Sequence, residues 1–240
     1  MKIISSFFLL FISFGLVAIE PGDRVENFRL IDQKGNSHEL FYFNDQKALV
    51  FLVQGNGCPI ARNAAPRFQE LRDIYSDKEV QFFMLNSNLQ DNRLSIREEA
   101  KEYGYDLSIL IDETQIISES LDLSRTGEVF IIDPKNWSVV YIGAIDDRLT
   151  YENQKKEASE HYLKNAIDDL LAGESVSVPR TESLGCLINF PNKLDKNSIS
   201  YSEEVAPILL KNCAVCHRKG AVSYTHLRAH ETLRYLVWRV

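Results

Sequence analysis

Apolar and polar positions along this chain fall into short blocks whose period changes repeatedly. Ala48–Val53 (ALVFLV) is an unbroken apolar run and predicts a buried strand. From Pro59 to about Tyr75, Ala61, Ala65, Phe68, Leu71 and Ile74 recur at three-and-four spacing, which predicts a helix with one apolar face. Pro66 lies inside that helix and is expected to kink it. Val80–Asn86 (VQFFMLN) predicts a second buried strand, Leu94–Tyr103 a charged surface helix, Leu107–Ile111 a third strand and Thr114–Leu121 a short helix. Glu128–Asp133 and Ser138–Gly143 flank the turn residues Asp133-Pro134-Lys135-Asn136, and further upstream Arg24–Leu30 and Ser37–Tyr42 flank Asp32–Asn36; each pair predicts a hairpin. Ala158–Ala172 predicts an amphipathic helix stopped by Gly173. Strands alternating with helices and closed by a strand pair imply an α/β fold with a mixed sheet.

The two ends follow different patterns. Residues 1–18 combine Lys2, the apolar run Ile3–Val17 and a closing Ala18, the arrangement of a secretory signal peptide, either removed or kept as an N-terminal anchor. Export to a bacterial periplasm is therefore expected, with no stable membrane span beyond that segment. Residues 222–240 read differently. Val222–Thr232 (VSYTHLRAHET) matches the translation of a transposase-library adapter, so the tail is expected to be foreign and the gene product to continue beyond Gly220. His226 and His230, four apart in that tail, are discounted as a metal pair. The net charge is −7 and no Lys/Arg cluster stands out, which argues against nucleic acid as a partner.

Chemistry concentrates at two places. After the first apolar run, Gln54-Gly55-Asn56-Gly57 leads to Cys58, and Pro59 is suited to a first helical turn. A thiol at a helix start faces unpaired N–H groups and the positive dipole end, which can lower its pKa from about 8.5 to roughly 3.5–7.5. Cys58 is accordingly either a reactive thiolate or a small apolar core residue. The second place is Cys213-Ala-Val-Cys216-His217, following a stretch in which Ser202 can cap a helix carrying Val205, Ile208 and Leu209. Cys-x-x-Cys-His is the attachment signature of haem c: Cys213 and Cys216 would form thioethers, and His217 would bind the iron. A zinc site, a structural disulfide and coincidence are the alternatives, and zinc would need a further ligand pair. Met1 and Met84 are the chain's methionines, so a distal methionine ligand is expected in sequence beyond this chain. Asp146-Asp147-Arg148 reads as a solvated turn with a surface ion pair, the alternative being that it orients a partner or binds a cation.

The order of elements, with a cysteine after the first core strand and Pro66 at fixed register behind it, resembles the thioredoxin fold over Pro21–Gly173. NGCPIARNAAPRFQEL, FFMLNSN, LIDETQ, GEVFIIDP and YIGAIDDR resemble the peroxiredoxin-like branch of exported redoxins, the alkyl hydroperoxide reductase/thiol-specific antioxidant type, as does Gly185-Cys186. The region 197–221 is similar to the N-terminal part of a class I cytochrome c. The resemblance implies that Cys58 is a catalytic thiol and that its substrate is a peroxide, a disulfide or a periplasmic redox partner. Three departures qualify it. Ala61 stands where thioredoxins have a second cysteine, Gly55 where peroxiredoxins have Thr or Ser, and Thr126-Gly127 where related redoxins have a cis-proline. Cys186, in a Ser/Pro/Thr-rich linker expected over 174–196, either pairs with Cys58 or packs beside Leu187 and Phe190. The expected function is an exported thiol oxidoreductase coupled to a haem c electron-transfer domain. The alternative is a non-catalytic docking module ahead of that cytochrome.

Overall fold

The computed structural model describes residues 20–149, 155–191 and 205–213. Its centre is strand β3 (Ala48–Gln54), buried at every position. Alternate side chains of β3 enter two separate cores. Val50 and Leu52 face one containing Phe68, Leu71, Tyr75, Ile96, Leu163 and Ile167, while Leu49, Phe51 and Val53 face the other with Phe83, Leu85, Phe130 and Ile132. A strand covered on both faces has no use for polar alternation, which is why its sequence is continuously apolar.

The remaining elements are β1 (Arg29–Asp32), β2 (Ser37–Glu39), a 3₁₀ turn (Leu40–Phe43), α1 (Pro59–Ile74), β4 (Val80–Asn86), α2 (Arg93–Tyr103), β5 (Ile109–Ile111), α3 (Ile116–Ser120), β6 (Val129–Asp133), β7 (Ser138–Gly143) and α4 (Tyr162–Ala172). They build a seven-stranded mixed sheet in the order β2-β1-β5-β4-β3-β6-β7. β3, β4 and β5 run parallel; β6 joins β3 antiparallel and β7 joins β6, while β1 and β2 close the opposite edge. The α/β architecture agrees with the sequence reading.

Several boundaries differ, for local reasons. Ile74 is exposed, and Tyr75 takes the core position, with its hydroxyl donating to Asp168 at 2.7 Å. Pro66 sits within α1 without ending it. The third strand loses Leu107 and Ser108 because the Gln33 side chain donates to the Leu107 carbonyl at 2.9 Å and accepts from the Ile109 N–H at 2.8 Å. α4 starts at Tyr162 rather than Ala158, since Asp147 captures the N–H groups of Ser159 and Glu160 at 2.8 and 3.1 Å. The first hairpin is shortened: Arg24 pairs instead with Ser138, and Leu40–Phe43 winds into the 3₁₀ turn.

The largest correction concerns the expected linker. Residues 178–190 do not leave the fold but strap back across it. Ile142 donates to the Pro179 carbonyl at 3.0 Å and Thr181 to the Ile142 carbonyl at 3.1 Å. Thr126 donates to the Cys186 carbonyl at 2.9 Å, Ile188 to that of Ser124 at 2.9 Å, and the Gln115 side chain to that of Asn189 at 2.8 Å. The first compact unit accordingly runs through Phe190, and a second begins at Pro191. Within the second unit, α5 (Ala206–Asn212) ends at Cys213. No helix among the described residues is long and apolar enough to cross a membrane. The signal segment, Ser202, Cys216, His217 and the tail 222–240 lie outside the described residues.

Candidate active site

Cys58 is the N-cap of α1, in extended backbone, with Pro59 opening the helix. It is 3% exposed. The loop before it is fixed from α2 and its approach. Glu99 accepts the Gly57 N–H at 3.1 Å and also the Arg62 guanidinium at 3.1 and 3.2 Å. Asp91 accepts the Asn56 N–H at 2.9 Å and the Asn86 amide at 2.9 Å, and Asn86 in turn donates to Gln54 at 2.7 Å. Two carboxylates, Glu99 from the helix expected as a charged surface element and Asp91 from the approach to it, therefore hold the turn that aims the thiol.

Thr126 and Cys186 close over Cys58. The Thr126 hydroxyl donates to Cys58 Sγ at 2.9 Å and accepts the Cys186 N–H at 3.1 Å, with Thr126 itself wholly buried. Cys186 thus meets Cys58 across the Thr126 hydroxyl, and each thiol shifts the other's titration, so the structure brings together two cysteines far apart in sequence. Both are free thiols here. Cys186 is exposed, as is Leu187, which removes the reading of Cys186 as a packed core residue.

Close approach explains one of the departures in sequence, Gly55, and also the glycine before Cys186. A Cβ on Gly55 would overlap the Asn88 amide and stand 2.6 Å from the Thr126 methyl, so a Thr or Ser there and Thr126 exclude one another. A Cβ on Gly185 would overlap the Thr126 carbonyl oxygen, so only glycine lets the strap lie this close. The peptide bond at Thr126-Gly127 is trans, since the described chain has no cis peptide. In place of a proline ring, a hydroxyl contacts the thiol.

The electrostatics separate the two cysteines. Burial pushes the Cys58 thiol up, but the Thr126 hydroxyl, the Ala61 N–H, the Cys186 thiol and the Cys186 N–H together outweigh it, leaving Cys58 below its ordinary value. The Ala61 contact is not a full side-chain cap, yet it presents helix-start N–H to the sulfur. Cys186 is pushed up to about 11, first by desolvation and then by its hydrogen bond and charge interaction with Cys58. The arrangement favours negative charge on Cys58 and keeps the proton on Cys186.

Thr126 is the residue that sequence reasoning missed; it was legible only as the absence of a proline. Asp146 also differs from expectation: it is buried, bound by the Arg148 guanidinium at 2.9 Å with Arg67 at 3.9 Å, rather than solvated. Of the haem motif, Cys213 is half-buried at the end of α5, and Cys216 and His217 lie outside the described residues. Two thiols and an imidazole at that spacing have the chemistry haem c requires. Met84 is wholly buried in β4, so it is not a free iron ligand.

Comparison with known proteins bears on the first unit. The Redoxin family profile matches residues 20–160. The chain is 27% identical over 125 residues to the thiol-disulfide oxidoreductase ResA of Geobacillus kaustophilus (strain HTA426), covering 52% of this chain and 70% of that relative. A solved structure of a conserved protein from Geobacillus kaustophilus is similar with a TM-score of 0.64 at 27% identity, covering 75% of this chain and 95% of that one. A hypothetical protein from Sinorhizobium meliloti 1021 is similar with a TM-score of 0.61 at 27% identity, covering 72% and 95%.

Proposed function

The chain belongs to the Redoxin family, a thioredoxin-fold, thiol–disulfide oxidoreductase-like protein, and on that premise we propose that it is an exported thiol redox protein working through Cys58 and Cys186. The observation that carries this reading is the meeting of the two thiols beneath Thr126, with Cys58 held toward thiolate. Ala61 rules out a bridge within the first helical turn, so the pair is completed from the strap. In the oxidising half-reaction the Cys58 thiolate attacks an oxidised substrate. With a peroxide it takes the terminal oxygen to become a sulfenic acid and releases water or an alcohol; with a disulfide it forms a mixed disulfide and releases a thiolate. Cys186 sulfur then attacks Cys58 sulfur, forming the Cys58–Cys186 bond and expelling hydroxide, or the substrate's second thiolate, with the Cys186 proton. Two electrons leave the protein in each case.

The signal-like residues 1–18 support export, where a disulfide persists. Cys213, Cys216 and His217 support a haem c site in the second unit, with the two thiols anchoring the group and His217 bound to iron. Such a haem would supply one-electron transfer. A docking role without catalysis has less support, because a thiol serving only as filler needs none of the donors gathered on Cys58.

A redox titration of the full chain against dithiothreitol, with alkylation of each peptide, tests the reading. Cys58 and Cys186 should titrate together as one two-electron couple, and Cys186→Ser should abolish it. Independent behaviour of the two thiols would reject the pair. Treatment with mild peroxide and a sulfenate reagent should label Cys58 in the Cys186→Ser protein and nothing at that peptide in Cys58→Ser.

A further inference from the structure

The accessibility of the two sulfurs runs against the order expected from a thiol at a helix start. Cys58 is 3% exposed, covered by the strap, whereas Cys186 is an exposed residue of the strap with Leu187, itself 69% exposed, beside it. The strap is clamped at this point by the Thr126 N–H on the Cys186 carbonyl at 2.9 Å, by the Cys186 N–H on the Thr126 hydroxyl at 3.1 Å, and by the Arg125 guanidinium on the Gly185 carbonyl at 3.1 Å. A protein or peptide thiol therefore meets Cys186 first.

The leaving-group geometry points the same way. The Thr126 hydroxyl donates to Cys58 Sγ at 2.9 Å at the start of α1, so negative charge arriving there finds a hydrogen bond already in place. In thiol–disulfide exchange the sulfur attacked is set by access, and the better-stabilised thiolate leaves faster. Attack at Cys58 would demand entry beneath the strap and would expel the sulfur without that donor.

Resting on the Cys58–Cys186 pair proposed above, we propose that Cys186 is the sulfur through which an external dithiol reductant enters. The reductant's thiolate attacks Cys186 Sγ, a new S–S bond forms there, and the Cys58–Cys186 bond breaks with its electron pair leaving on Cys58. The reductant's second thiolate then attacks its own sulfur in the mixed disulfide, releasing Cys186 as thiolate, which takes up a proton. The reductant departs as a disulfide, two electrons poorer. The low-pKa thiol is thus the internal leaving group and the high-pKa thiol the external contact.

The test uses the full chain, oxidised with diamide and mapped to verify the Cys58–Cys186 link. It is exposed briefly to excess glutathione, quenched in acid, alkylated and mapped by peptide mass, which separates these cysteines from Cys213 and Cys216. Glutathione should be found on Cys186 and the alkylating label on Cys58, exceeding the reverse pattern by about tenfold or more. Glutathione on Cys58, or equal amounts on both, overturns the assignment while leaving the pair intact. Absence of the linked peptide before glutathione is added overturns the pair and the assignment together. In a second arm, Thr126→Val should slow formation of the Cys186 adduct by weakening the leaving group, and Thr126→Ser should restore it; adduct formation insensitive to both substitutions also overturns the assignment.

Discussion

Replacing Thr126 by valine removes one hydroxyl from a buried site and little else, because valine keeps the branched shape against Gly55. The hydroxyl donates to Cys58 Sγ at 2.9 Å. A hydrogen bond to an ionised group contributes about 1.5–3 kcal/mol, and about 1.4 kcal/mol corresponds to one pKa unit. Losing this donor should raise the Cys58 midpoint by roughly 1–2 units. The lower end is expected, because the start of α1 still faces the sulfur. The sign is fixed: the donor stabilises thiolate, so its removal moves titration upward and leaves less thiolate at neutral pH. The assay is the pH dependence of Cys58 alkylation, resolved by peptide mass, in the wild type, Thr126→Val and Thr126→Ser. Serine restores the donor and should bring the midpoint back. Urea unfolding of the same proteins checks that the fold survives, with a loss of about 1–3 kcal/mol for the two hydrogen bonds the hydroxyl makes, to Cys58 Sγ and from the Cys186 N–H. A valine variant that stays folded and titrates within about 0.3 units of wild type would refute the assignment of the hydroxyl as the thiolate's donor.

Gly55→Thr, which writes a peroxiredoxin-like hydroxyl into the loop, should destabilise the protein by about 1–3 kcal/mol in urea unfolding through overpacking against Asn88 and Thr126, with no gain in peroxide reduction. Gly185→Ala should slow Cys58–Cys186 disulfide formation under diamide, because the added methyl lifts the strap from the Thr126 carbonyl. Asp32 should govern part of the acid response. Burial pushes its carboxyl up, but bonds from His38, Asn36 and Ser108 outweigh burial and bring it down to about 2. A depressed carboxylate stabilises the fold above its unfolded value of about 3.9 and loses that contribution as pH falls through 2, which amounts to about 2 kcal/mol. Thermal unfolding between pH 5 and pH 2 should show this loss in the wild type and a flatter profile in Asp32→Asn.

The parts of this molecule legible in the sequence are those governed by local period and local chemistry. β3 and β4 announce themselves as apolar runs because both faces of the sheet are covered, and Cys58 is placed by the turn and Pro59 alone. The parts that were not legible depend on groups distant in the chain. Asp147 delays α4 by taking two amides, and Gln33 replaces strand pairing with its own side chain. The strap carries Ser, Pro and Thr at linker-like frequency, yet its backbone groups bond to Ile142, Thr126 and Ser124, and no local pattern encodes that. Gly55 and Gly127 looked like erased catalytic features. Gly55 instead makes room for Thr126, a relation visible only when both strands are in place. Glu99 read as part of a charged surface helix, because charge pattern alone does not show which backbone N–H groups a carboxylate reaches.

The most direct test of the central claim is a non-reducing peptide map of the full chain after oxidation with diamide. A peptide pair joined through Cys58 and Cys186, lighter by two hydrogens and absent after reduction, is the predicted result. Cys58 recovered as a free thiol, or joined to any other cysteine, would contradict it.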